Sequence, residues 1–305
     1  MNAYCRSLLR QLPLLDKKTR LTMSGAVFVD DGWPLLDSYK EAVGENYDAI
    51  VSNLNFSDAR RSLQAINGWC SDHTEGLVPK VLDEVSPDML AYLLNALYFK
   101  SRWAERFNAY ATGEETFTDE GGNRSKVKMM KQEAQHGYAE NEVFRAVRLP
   151  YGNGAFSMLV FLPREGYKVA DVLSVLKKTD WESFRREWIP CEVDLWLPRF
   201  ETRFRIHLND HLSAMGMPLA FDREGADFKA MSPYALCLSF VQQDAVIKVD
   251  EEGTEAAAVS SAGMEKATAV APGEHVVFHA DHPFLYLVTE TASGAVLFAG
   301  RYAGE

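Results

Sequence analysis

Apolar and polar positions change period several times along the chain, and each change marks an expected element. Leu8, Leu9, Leu12 and Leu15 alternate with Arg and Asp as a short amphipathic helix ending near Pro13 to Asp16. Leu21 to Val29 (LTMSGAVFV) is small and β-branched and reads as a buried strand. Helical character returns over Pro34 to Glu45, and Asp48 to Phe56 (DAIVSNLNF) alternates as a strand. Ser57 and Asp58 offer N-cap chemistry for a helix carrying Leu63, Ile66, Asn67 and Cys70, which Thr74, Glu75 and Gly76 stop. The apolar run from Met89 to Trp103 has strand composition at its centre, although its period alone leaves a helix open.

Further on, Glu120-Gly121-Gly122-Asn123 and Gly152-Asn153-Gly154 suit hairpin turns, the second with arms at Arg145 to Pro150 and Ala155 to Leu162. Ala170 to Trp188 reads as one or two helices and Cys191 to Phe200 as a strand. Leu208, Leu212 and Met215 stand at helical spacing before Gly216, and the last third is mostly strand-like. Helices and strands mix without a βαβ rhythm, an internal repeat or a Pro- or Ser-rich linker. The expected class is α+β, in one large domain over residues 1–305.

Composition narrows the function classes. With 47% hydrophobic and 25% charged residues, the chain has the make-up of a folded globular protein. Its 32 Lys and Arg against 43 Asp and Glu leave a net charge of −11, without the basic footprint of a nucleic-acid binder. Arg6, Arg10, Lys17, Lys18 and Arg20 form a local basic cluster, most simply a solvated face. Cys5, Cys70, Cys191 and Cys237 lie far apart with no CxxC pair, which argues against a zinc site and a disulfide scaffold. No apolar run reaches the roughly 18 residues of a membrane span. No apolar stretch follows the basic start, so no signal segment is expected in the chain as given.

Catalytic signatures are missing. Ser157 in GAFSML lacks the second glycine of a nucleophile elbow, and there is no Walker loop, GxGxxG or HExxH. His207 and His211 stand four apart with no third ligand in view and read as surface histidines. His275, His279, His282 and Asp281 form a denser cluster, but in a strand His275 and His279 would share one face and His282 the other. No metal, cofactor or enzymatic activity is expected.

The most informative segment is VIKVDEEGTEAAAV, residues 246–259. A strand runs into acids, a glycine and a stretch of small residues continuing through Ser260, Ser261, Ala262 and Gly263. Alone it could be an exposed loop or a short Ala-rich helix. Its parity favours a third reading. If the chain became a strand from Thr254, then Thr254, Ala256, Ala258 and Ser260 would share one small, uncharged face, with Glu255 on the other. Gly253 would supply backbone freedom where the strand bends out into the loop. The segment thus suits a loop that can also exist as an inserted strand.

Here the chain resembles the serpins, a family of serine-protease inhibitors, over essentially its whole length. Glu251, Glu252, Gly253, Thr254, Glu255, Ala256, Ala257, Ala258 and Val259 are similar to the family's hinge. NALYFKSRW (95–103), VKMM (127–130), LPY (149–151), SMLVFLP (157–163), LPRF (197–200), ADFKAMS (226–232), HPFLYL (282–287) and LFAGRY (297–302) follow in family order. The segments from NGWCSDHTEG to AENE resemble bacterial members, which implies an extracellular or periplasmic protein.

The resemblance implies a serpin fold: a mixed main sheet, two smaller sheets and surrounding helices. It implies a reactive loop over about residues 253–275 that a serine endopeptidase, or alternatively a cysteine endopeptidase, cleaves to an acyl-enzyme. The loop then inserts into the main sheet and traps the enzyme. About a dozen new ladder hydrogen bonds at about 1 kcal/mol each give a drive on the order of 10 kcal/mol. By family spacing the scissile bond falls at Ala267-Thr268, within a window of residues 264–269. Ala267 suits an elastase- or subtilisin-like pocket, whereas Lys266 would suit a trypsin-like one.

Glu251 and Arg199 match a family salt bridge above Trp103, where insertion begins. Asn95 matches a member of a mid-sheet hydrogen-bond cluster whose usual histidine partner is replaced by Gln243. The implied state is a monomer liable to polymerise. A carrier, chaperone-like or storage member of the family is the runner-up. The chain enters the family pattern near the helix preceding the second main-sheet strand. The resemblance therefore implies an N-terminally incomplete domain, whose inhibitory state would be in question if Met1 were the true start.

Overall fold

The computed structural model describes residues 2–87, 89–239, 241–254 and 275–304. In chain order the first half holds α1 (Asn2–Gln11), β1 (Arg20–Asp30), α2 (Asp37–Tyr47), β2 (Ala49–Leu54), α3 (Ala59–His73), β3 (Ala91–Arg102), β4 (Gly113–Thr118) and β5 (Arg124–Glu140). There follow β6 (Phe144–Tyr151), β7 (Phe156–Pro163), α4 (Val169–Leu176), α5 (Trp181–Phe184), β8 (Ile189–Pro198), β9 (Phe200–His207) and α6 (Asn209–Ala214). The chain ends with β10 (Gln242–Val249), β11 (Gly253–Thr254), β12 (His275–His279), β13 (Phe284–Glu290) and β14 (Val296–Tyr302).

These elements form two compact units, the first from Met1–Leu15, Arg20–Phe99 and Arg203–Val246 and the second from Asp16–Thr19, Lys100–Thr202 and Ile247–Glu305. Among the described residues the strands are ordered β2-β1-β3-β11-β10-β9 in one sheet and β12-β8-β5-β6-β7-β13-β14 in the other, with β4 on β5.

In the first unit, α3 shows how local signals build a packed element. The Asp58 carboxylate accepts the Arg61 N–H at 3.2 Å and caps the helix. Ser62, Ile66 and Cys70, spaced at about one turn, form its buried stripe. Glu75 and Gly76, both at positive φ, end it. Ile66 and Cys70 pack with Phe28, Phe56, Val81 and Tyr92. The Asn67 amide accepts from the N–H groups of Val81 and Leu82 and donates to Leu82 O, fixing the irregular segment before β3. Arg20 of the basic cluster pairs with Glu75, as a solvated face would.

In the second unit every residue of β7 is buried, between β6 and β13. The long β5 pairs with β4 over Arg124–Met129, with β8 over Met129–Tyr138 and with β6 over Gly137–Glu140. This one strand therefore links the pairings on both sides of it into a continuous sheet. One element absent from the sequence expectations is β9. Its sequence, FETRFRIH, is largely exposed, with Glu201, Arg203, Arg205 and His207 outward and Phe200, Thr202 and Ile206 less exposed between them. Among the described residues all four cysteines are free, and no helix is long and apolar enough to cross a membrane.

Candidate functional site

The hinge lies wholly in the second unit, at the junction of β10 and β11. Asp250 and Gly253 close a tight turn by exchanging backbone bonds, Asp250 N–H to Gly253 O at 2.9 Å and Gly253 N–H to Asp250 O at 3.3 Å. Asp at the first position and Gly at the fourth are what such a turn favours. The Asp250 carboxylate also accepts from Glu252 N–H at 2.9 Å and Gly253 N–H at 3.3 Å. Burial pushes the Asp250 carboxyl up, and those two bonds oppose the shift.

Three successive carbonyls of this turn are fastened to the chain after β3. Trp103 Nε1 donates to Asp250 O at 2.8 Å, Phe107 N–H to Glu251 O at 3.1 Å and Trp103 N–H to Glu252 O at 2.9 Å. Trp103 is buried, with its ring stacked on Tyr151 at 4.4 Å and 12°. It is at once ordinary core and the anchor of the hinge.

The acids of the turn differ in their partners. Glu251 accepts from Thr112 Oγ1 at 2.9 Å, while its contact with Arg199 is a loose 3.9 Å with the arginine half exposed. The expected Glu251–Arg199 pair is thus present, but it is secondary to Thr112. Glu252 pairs with Arg106 at 3.1 Å.

Gly253 and Thr254 form β11, inserted between neighbours on both sides. Gly253 is paired with Arg102 and Thr254 with Ser101 of β3, while Thr254 is also paired with Val249 of β10. The backbone freedom expected of glycine is used here, since Gly253 stands at φ +156°. Close approach selects glycine as well, because a Cβ at residue 253 would lie 2.0 Å from Ser101 O and 2.7 Å from Arg102 Cα. Thr254 is only 2% exposed, and its hydroxyl meets Tyr151 OH at 2.5 Å.

Other expected site residues fall elsewhere. Glu255, Ala256, Ala257, Ala258 and Val259, together with Lys266, Ala267 and Thr268, lie outside the described residues. In the first unit Asn95 and Gln243 are both exposed, and the Asn95 amide donates to Ser24 O at 3.5 Å. No hydrogen bond joins Asn95 to Gln243 among the described residues. The neighbouring Gln242 makes the polar contacts instead, to Val81 O and Asp244. Adjacent positions on a strand face opposite ways, so a one-residue difference in register is enough to decide this.

Among the histidines, His282 bonds Asp281 and Pro163 O, and His275 faces Glu133 at 3.6 Å. No group of metal-ligating side chains gathers among the described residues. Thr112, Tyr151 and Asp250 were missed as hinge partners. Only Asp250 carried a local signal, the Asp and Gly of its turn.

Comparison with known proteins agrees with this geometry. Residues 1–304 match the family described as Serpin (serine protease inhibitor). A serine protease inhibitor of Cyanea capillata is 32% identical over 91% of this chain and 74% of its own, and Serpin B6 of Macaca fascicularis is 32% identical over 98% and 80%. The native state of the thermophilic serpin tengpin superposes with a TM-score of 0.89 at 26% identity, covering 100% of this chain and 78% of its own. With a family match along nearly its whole length and a strand-like hinge between β3 and β10, this chain belongs to the serpins.

Proposed function

We propose that this serpin inhibits serine endopeptidases as a suicide substrate. A protease cleaves the loop over about residues 253–275 and is held as an acyl-enzyme, and the freed strand continues into the sheet behind β11. The observation that carries this reading is the state of Thr254, which pairs with β3 on one side and β10 on the other with its side chain buried. The first rungs of insertion are therefore formed before cleavage. The residues of the same parity that follow, Ala256, Ala258 and Ser260, are small enough to continue them without burying charge.

On this reading the two compact units belong to one serpin domain, and the protein acts outside the cytoplasm as a monomer on a protease rather than as a catalyst. Relatives named leukocyte elastase inhibitor (Homo sapiens) and antitrypsin (Bombyx mori) are 30% and 29% identical. They frame the choice between Ala267 and Lys266 as the residue offered to the protease, and the elastase-compatible Ala267 is preferred.

The test mixes the protein with an elastase, a subtilisin and a trypsin, followed by a denaturing gel and sequencing of the released C-terminal fragment. A covalent high-mass band and a new N-terminus at Thr268 are expected. A start at Ala267 would move the reactive bond to Lys266-Ala267. Cleavage without a covalent band would favour a non-inhibitory or inactive serpin.

A further inference from the structure

The β3 residues that receive the hinge are gripped from the side opposite β11. Thr19 Oγ1 stands 2.6 Å from Ser101 Oγ and donates to Asp16 Oδ2 at 2.9 Å. A threonine hydroxyl has one proton, and Asp16 takes it, so the Ser101 hydroxyl must be the donor to Thr19. The relay therefore runs from Ser101 through Thr19 to Asp16. All three residues are buried, at 2%, 7% and 5% exposure.

Asp16 also reaches the neighbouring β3 residue by a second route. Its carboxylate accepts from Asn153 N–H at 3.4 Å and packs so tightly on Gly152 that a Cβ there would lie 1.9 Å from Oδ2. Gly152 in turn donates its N–H to Arg102 O at 2.9 Å. Ser101 and Arg102 are the two β3 residues paired with β11. Both are thus tied to one carboxylate, Ser101 through Thr19 and Arg102 through Gly152.

We propose that Asp16 is a positioning residue for hinge insertion, holding the end of β3 in the register that Gly253 and Thr254 require. It touches neither the hinge nor a protease and acts through Thr19, Ser101 and Gly152. Burial disfavours its charge, but bonds from Lys18 N–H, Thr19 and Asn153 outweigh that and hold the carboxyl below its ordinary value. It is therefore a charged acceptor, the stronger kind of anchor.

This inference rests on the inhibitor reading for its kinetic consequence but not for its structural one, so two measurements separate them. The first is the ratio of covalent complex to cleaved inhibitor on a protease that traps the wild type. Slower insertion gives hydrolysis more time, so Asp16→Asn and Thr19→Val are expected to lower that ratio about tenfold, the worth of one charge-assisted bond. Thr19→Ser, which keeps the hydroxyl, should restore it. The second is amide hydrogen exchange at residues 253–254 in the free protein, expected to quicken in Asp16→Asn and Thr19→Val while β7 stays protected. A ratio unchanged in well-folded Asp16→Asn and Thr19→Val would overturn the proposal. If the wild type traps no protease, unchanged exchange at the hinge would overturn it alone. Ser101→Ala, which deletes only the first donor, serves if Asp16→Asn fails to fold and should show the same changes in smaller measure.

Discussion

The hydroxyls of Tyr151 and Thr254 meet at 2.5 Å, and neither residue is more than 2% exposed. A bond in full burial is worth most when only one partner is removed, because the survivor loses its acceptor or donor without gaining water. Tyr151→Phe and Thr254→Val should each cost about 1–2 kcal/mol, and the double variant less than their sum by about 1 kcal/mol. Urea unfolding of the four proteins measures that coupling. Full additivity would mean that the two hydroxyls do not depend on each other.

Gly253→Ala places a methyl group where Ser101 O already stands, at 2.0 Å from the ideal Cβ position. The obstacle is backbone, which cannot swing aside. The β11 pairing should open, with a loss of about 1–3 kcal/mol typical of overpacking. The variant should be cleaved by the protease yet form little covalent complex. Wild-type trapping by Gly253→Ala would show that residue 253 need not pair with Arg102 for insertion.

Glu251→Lys removes the acceptor of Thr112 and sets a cation beside Arg199. It should loosen the turn that fastens β11 and promote polymers on mild heating, visible by size-exclusion chromatography. Arg199→Ala removes only the loose, half-exposed ion pair and should cost less than about 1 kcal/mol. If the Lys variant stayed monomeric after heating, the hinge turn would not be what guards against polymerisation.

His136 is buried, and neither ring nitrogen has a hydrogen-bond partner among the described residues. Burial pushes its imidazole down to about 4 from the ordinary 6.5. The folded protein then holds the ring neutral, while the unfolded chain takes up a proton below about 6.5. Stability is complete above that pH and falls between about 6.5 and about 4, by up to about 3 kcal/mol. His136→Phe should flatten this part of the profile. Equal slopes in urea titrations of both proteins between pH 7 and 4.5 would count against the assignment.

Local signals were enough for most elements. The Asp58 cap, the Ile66 and Cys70 stripe and the Glu75-Gly76 stop define α3 from residues within a few positions of one another. The Gly152-Asn153-Gly154 turn and the apolar run of β7 likewise placed one hairpin at β6 and β7. The same holds for β9, where Phe200, Thr202, Phe204 and Ile206 alternate with Glu201, Arg203, Arg205 and His207, a local strand period that the expectations above do not use.

The sequence by itself determined which residues could form helices, strands and turns, and that one face of the chain from Thr254 onward is small and uncharged. Periods, caps and turn residues act between neighbours, so they can be read from neighbours. Only the tertiary structure decided which backbone crowds residue 253, which hydroxyl meets Thr254, which partner holds Glu251, and that Gln242 rather than Gln243 makes the polar contacts near β3. It also brought Asp16 against Gly152 and, through Thr19, onto Ser101. These are approaches between segments as much as 161 residues apart in the chain, set by how each unit packs and carrying no repeat along the sequence.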